Sequence, residues 1–131
     1  MNEQARPAVQ RWLDKAFNDL RLAKLALNDE PPMTDEACFH AQQCAEKSLK
    51  AFLAFKGKHP PRIHSLEQLT FRCAKLDREF TKLKNLVVGL SDYAVTARYP
   101  DDNYIATQDE ARQAVANAER VWTFVNEKLG A

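Results

Sequence analysis

The stretch TDEACFHAQQCAEKSLKAFLAFKG, Thr34 to Gly57, decides how this chain folds. Its apolar residues Cys38, Ala41, Ala45, Leu49 and Phe52, with Phe55 or Leu53 beyond, recur at steps of three and four. That spacing lays them along one side of a helix and matches no strand alternation. Thr34 or Asp35 is expected to cap the free amides of the first turn, and Gly57 to close the last. The polar edge of the same helix carries His40, Gln43, Glu46, Lys47 and Lys50.

The periodicity continues on both sides of this stretch. From about Arg6 to Asn28, Val9, Trp12, Leu13, Ala16, Phe17, Leu20, Ala23 and Leu27 form one stripe. Pro7 suits the first turn of that helix, and NDEPPM breaks it, because two prolines cannot continue a helix. Beyond the loop KHPPRIH, Ser65 and Gln68 have capping-box spacing, and Leu66, Leu69, Cys73 and Leu76 are expected to line a buried face. After Asp77 the pattern resumes through Phe80, Leu83, Leu86, Val87, Leu90 and Ala94, as one kinked helix or two, with Gly89 a further weak point. Pro100 ends this section. Thr107 and Glu110 form a second capping box, followed by Ala111, Ala114, Val115, Ala118, Val121, Trp122, Val125 and Leu129. Four segments of about twenty residues, each about 30 Å long, with short connections, predict an all-α up-and-down antiparallel bundle in which the third helix is split or kinked.

Composition narrows the class. At 131 residues the chain fits one domain with a core of its own; 45% of its residues are hydrophobic and 28% charged, as in soluble globular proteins. No apolar run approaches a membrane span, and the polar start MNEQARPAVQ does not read as an export signal, so the expected location is cytoplasmic, away from membranes. The three cysteines, Cys38, Cys44 and Cys73, are expected as free buried thiols. A formal net charge of +1 gives no support to nucleic-acid binding by bulk charge and no DNA-specific signal.

Four groups of residues could carry chemistry. His40, Gln43, Lys47 and Lys50 share a helix face that could hold an anion or a nucleotide. The competing reading is a solvated face on which Glu46 and Lys50 form an i,i+4 pair worth about 0.2–0.5 kcal/mol. His40 and Cys44, also four apart, could supply two zinc ligands. Cys44 falls toward the apolar side, however, and no second pair has matching spacing, so it reads as a core thiol and no metal is expected. In KHPPRIHS, His59, Arg62 and His64 stand just before a helix N-terminus, where anions bind favourably; the alternative is a rigid proline loop. In ARYPDDNY, Arg98 can grip phosphate or carboxylate bidentately and Tyr99 and Tyr104 could stack on a base. Asp101 and Asp102 oppose phosphate there, and without a third ligand they are a weak metal signal. On spacing alone this stretch is a structured turn between helices.

Taken together, ACFHAQQCAEKSLKAFLAFKG, then PRIHSLEQL, then ARYPD, then an alanine-rich last helix ending EKLG, resemble the HEPN domain family over nearly the whole chain. The resemblance implies an up-and-down bundle, commonly a homodimer. It also implies a role beside a separate small nucleotidyltransferase, in toxin–antitoxin or defence pairs, and a nucleotide-binding function. Other members are metal-independent ribonucleases, which carry an arginine followed after four to six residues by a histidine. Arg98 takes the arginine's place, but Asn103, Tyr104 and Ile105 stand where the histidine is due, and a tyrosine is a poor general base at neutral pH. The histidines are His40, His59 and His64, all upstream. The resulting expectation is a non-catalytic binding or regulatory module without cofactor, contacting nucleotide or RNA through Lys47, Lys50, Arg62, His64, Arg98 and Tyr104. A ribonuclease using Arg98, with His64 or His40 brought to it by the fold, and a structural dimerisation module are the alternatives.

Overall fold

The second helix is the axis of the structure because its sequence leaves little of it polar enough to face water. The computed structural model describes residues 6–97 and 105–130, and residues 92–97 by their backbone alone. In it, α2 (Thr34–Phe55) packs against α1 (Arg6–Asn28), α3 (Leu66–Leu76), α4 (Lys84–Ala97) and α5 (Gln108–Lys128), with α1 and α5 making the largest contacts. Fourteen of its 22 residues are buried, among them the polar Gln42, Glu46, Ser48 and Lys50. The architecture is the expected all-α antiparallel bundle.

The helix boundaries follow local chemistry, with one exception. Past the C-cap Lys56, Gly57 has φ +76°. Its amide donates to the Ala54 carbonyl (3.0 Å) while the Lys58 amide donates to that of Leu53 (2.9 Å), the paired closure that a left-handed residue permits. Thr107 and Glu110 form both halves of a capping box: the Glu110 amide reaches Thr107 Oγ1 at 3.0 Å and the Thr107 amide reaches Glu110 Oε1 at 2.9 Å. Ser65 accepts from the Gln68 amide at 3.2 Å. The start of α2 departs from expectation. Its N-cap is Met33 and no side chain caps it. Asp35 instead accepts the Ala106 amide at 2.9 Å, tying the approach to α5 onto the first turn of α2.

The third sequence segment is two helices. Asp77 leaves the helical region at φ −150°, and its side chain caps a 3₁₀ turn, Arg78–Leu83, by accepting from the Glu79 amide at 3.0 Å. Gly89 does not interrupt α4. Lys128 at the end of α5 reaches Asp77 (2.9 Å) and Glu79 (2.6 Å). Its hydrogen bonds hold both carboxylates below their ordinary pKa values. The turn also delivers Phe80 to the core, where its ring lies 4.3 Å from that of Phe52 and 5.0 Å, edge-on, from that of Phe124. Of the described residues expected inside, most are buried and Trp12, Leu13, Leu27, Leu86, Trp122 and Leu129 half-buried, whereas Phe17 (44% exposed) and Leu76 (37%) border their stripes; the Ala94 side chain lies outside the described residues. Leu53 rather than Phe55 completes the stripe of α2.

Phe80 is fully buried between two aromatic neighbours on different helices. Its truncation leaves a cavity that three packed elements cannot close. Phe80→Ala is therefore expected to cost about 3–5 kcal/mol, read as a lower urea midpoint at unchanged slope.

Candidate functional site: a basic groove beside the proline loop

Positions 8, 11, 12 and 15 of α1 lie on one side of the helix, at steps of three and four. The HPPR loop, His59 to Arg62, runs along that side. Between them is a groove of about 510 Å³ lined by Arg11, Trp12, Lys15, Lys50, His59 and Arg62, with Ala8, Pro60 and Pro61 completing the walls. Its volume falls in the range of small-molecule sites. The two prolines limit the backbone freedom of one wall.

The floor of the groove is a buried ion pair. Lys50 and Glu46 have side chains only 6% and 5% exposed, and Lys50 Nζ lies 3.2 Å from Glu46 Oε2. The expectation of a solvated face is thus corrected. Because α2 is enclosed by its neighbours, an i,i+4 pair that would be nearly neutral on a surface is taken out of water here. A buried pair of this kind needs further partners to offset its lost hydration. Glu46 also meets His64 Nδ1 at 3.1 and 3.3 Å, and Lys50 Nζ sits 5.5 Å from the centre of the Trp12 ring. Gln42 donates to the His64 carbonyl at 3.4 Å, so the loop is pinned to α2 at the residue before the α3 cap. Arg11, Lys15 and Arg62 at the rim have no carboxylate partner among the described residues. Three basic side chains therefore line one groove with a tryptophan and with no acid among the lining residues.

The sequence-derived candidates divide accordingly. Lys50 and Arg62 line the groove, and His64 braces its floor through Glu46. Lys47 turns instead to Asp19 of α1, which also accepts from His40 Nδ1 at 2.9 Å; Asp19 is a second buried acid, 8% exposed in its side chain. Arg98 and Tyr104, with Tyr99, Asp101 and Asp102, lie outside the described residues. His59, grouped from the sequence with Arg62 and His64, also lines the groove, whereas Arg11, Trp12 and Lys15 were not singled out as site residues. Arg11 and Lys15 are an i,i+4 pair of like charge flanking a tryptophan, a visible signal, but nothing local says that the HPPR loop lies opposite them.

His40 and Cys44 do not converge on a metal. His40 is held by Asp19, while the Cys44 thiol is pushed up to about 12, chiefly by burial, and so stays protonated at neutral pH. Among the described residues no group of three His, Cys, Asp or Glu side chains is placed to hold a metal ion. No described helix is long and apolar enough to cross a membrane.

Comparison with known proteins agrees with this fold. The HEPN domain model matches residues 9–128. The crystal structure of TT1696 from Thermus thermophilus superposes with a TM-score of 0.77 at 30% identity, covering 92% of this chain and 97% of that one. ST0689, an archaeal HEPN homologue, gives 0.71 at 28% identity over 92% of this chain and 96% of its own. No curated protein matches in sequence.

The ion pair under the groove makes an unequal double-mutant cycle. Lys50→Met strands Glu46 in the bundle and is expected to cost about 3 kcal/mol, whereas Glu46→Leu with Lys50→Met should return to within about 1 kcal/mol of the parent, both measured by urea unfolding.

Proposed function

The chain belongs to the HEPN domain family, and from that premise we propose that it is a non-catalytic binding and regulatory module whose groove between α1 and the HPPR loop holds the phosphates of a nucleotide. The observation that carries this reading is that Arg11, Lys15 and Arg62, none paired with an acid among the described residues, line one groove with Trp12. Guanidinium groups suit phosphate because their donors match its oxygens in pairs, and a tryptophan offers an apolar surface to a base. Lys50 contributes less charge than its position suggests, since Glu46 already offsets it.

The module acts as a homodimer in the cytoplasm with a small nucleotidyltransferase encoded beside it, in a pair of the toxin–antitoxin or defence type. Support for the non-catalytic reading comes from the sequence that follows Arg98. No histidine stands at the required distance, and a module without one in that place lacks the group that would take a ribose 2′-hydroxyl proton.

Calorimetry with ADP should show binding that weakens as salt is raised, and Arg11→Gln, Lys15→Gln and Arg62→Gln should each reduce the affinity about tenfold. Equal affinity in all three variants would place the nucleotide elsewhere. Co-expressed with the neighbouring nucleotidyltransferase, the protein should co-elute with it; separate elution would remove that partnership. Wild-type and Arg98→Ala proteins should both leave structured and single-stranded RNAs intact, and cleavage that disappears in Arg98→Ala would identify a ribonuclease instead.

A further inference from the structure

On the other side of the HPPR loop the surface has a different character. α3 buries Leu66, Leu69, Thr70 and Cys73. That register turns Phe71 and Lys75 outward, and Phe71 is 62% exposed. An aromatic side chain left this open on a helix that buries Leu66, Leu69 and Cys73 is an anomaly of placement. Two concavities flank it. One, of about 710 Å³, lies toward the loop and includes Leu53, Leu76, Lys58 and Arg72; the other, of about 410 Å³, lies toward α4 and is walled by Thr70, Ala74, Val87 and Val88. Phe71 and Lys75 line both. Val88, at 43%, and Leu76, at 37%, are the other exposed apolar residues there.

The charges around this ridge are one-sided. Lys58, Arg72, Lys75 and Lys84 all line the two concavities, and none pairs with a carboxylate among the described residues. The Lys75 ammonium instead sits 4.6 Å from the centre of the Phe71 ring. The one acid in the lining, Glu67, already accepts from Ser65 Oγ (3.4 Å) and Ser91 Oγ (3.1 Å).

We infer that this face of α3 is a docking surface for an acidic peptide segment of another protein, one that carries an aliphatic or aromatic anchor. The anchor enters the apolar concavity between Phe71 and Val88, and its carboxylates meet Lys58, Arg72, Lys75 and Lys84. Charge complementarity selects this occupant. A second copy related by a two-fold axis would bring the same four cations against themselves, since an isologous interface places each patch on its own image. Nucleic acid would satisfy the cations but not the α4 side, whose walls of Thr70, Ala74, Val87 and Val88 offer little to hydrogen-bond a base edge. The inference is independent of the nucleotide reading, because the groove used there is on the opposite side of the loop and shares only His59 and Pro61 with this surface.

The test is a selection of phage-displayed random 16-residue peptides on the full chain. Enriched peptides are expected to combine glutamate or aspartate with a leucine, phenylalanine or tryptophan. Synthesised and measured by fluorescence anisotropy, they should bind Phe71→Ser, and separately Arg72→Glu with Lys75→Glu, at least about tenfold more weakly. Because these side chains are exposed, circular dichroism and the melting temperature of the variants should match the parent. Arg11→Gln should leave peptide binding unchanged, which separates this surface from the nucleotide groove. Several results would overturn the inference: no enrichment, enrichment without acidic bias, or equal binding by the variants. A concentration-dependent dimer that Phe71→Ser dissolves in sedimentation would assign the face to self-association instead, and tight binding of oligouridylate lost in the same variant would assign it to RNA.

Discussion

The structure depends on one constraint, the enclosure of α2. A helix packed against four others has little solvated face on which to place charge, yet its buried part carries Glu46 and Lys50 one turn apart. Removing either charge from water would be costly if it stood alone. The bundle solves this by letting the two neutralise each other and by drawing further partners to them: His64 from the loop to Glu46, and the Trp12 ring from α1 beside Lys50. The same logic governs Asp19 on the facing side of α1, which is buried and answered by His40 and Lys47 of α2. Of the two most buried acids among the described residues, Asp19 thus joins the two helices in closest contact, while Glu46 ties the loop to α2.

The consequence reaches the surface. Glu46 holds His64, Gln42 holds the carbonyl of the same residue, and Ser65 then starts α3. The HPPR loop is therefore fixed at its far end by a buried carboxylate, and at its near end by the left-handed closure at Gly57. Two prolines stiffen what lies between. A loop held at both ends can present His59 and Arg62 to α1 on one side and a wall to α3 on the other without ordering entropy being lost when a ligand arrives.

Much of this was legible beforehand, for identifiable reasons. Helix positions followed from apolar periodicity, and Ser65, Thr107 and Gly57 act as their local chemistry says, because capping depends on residues within three or four positions. Asp35 failed as a cap because a better-placed demand, the Ala106 amide, lies 71 residues away in sequence, and no local rule contains it. The break at Asp77 was signalled but not resolved, since a capping aspartate and a hydrophobic stripe are compatible with a kink or a split. In the structure it is a split, and the 3₁₀ turn sets the Phe80 ring between Phe52 and Phe124. For the site, Lys50 and Arg62 were found by residue type, whereas Arg11, Trp12 and Lys15 were read as an ordinary amphipathic helix. Their common direction became visible only when the loop was placed opposite them. Lys47 shows the reverse error, for a lysine on a polar edge carries no sign that a buried aspartate waits on the next helix.

Net charge was the least informative of the global quantities, and the reason is spatial. A chain of charge +1 has almost as many acids as bases, but it does not follow that they meet. Here the acids Asp19, Glu46, Asp77 and Glu79 are consumed by lysines and histidines that stabilise the fold. What remains unpaired among the described residues on either side of the HPPR loop is cationic: Arg11, Lys15 and Arg62 toward α1, and Lys58, Arg72 and Lys75 toward α3. Fields from exposed charges fade over about 8 Å at physiological salt, so a ligand at this end of the bundle senses these six residues far more than the sum over the chain. A neutral total is therefore compatible with a strongly anion-attracting region. Folding produces that segregation by using its carboxylates internally.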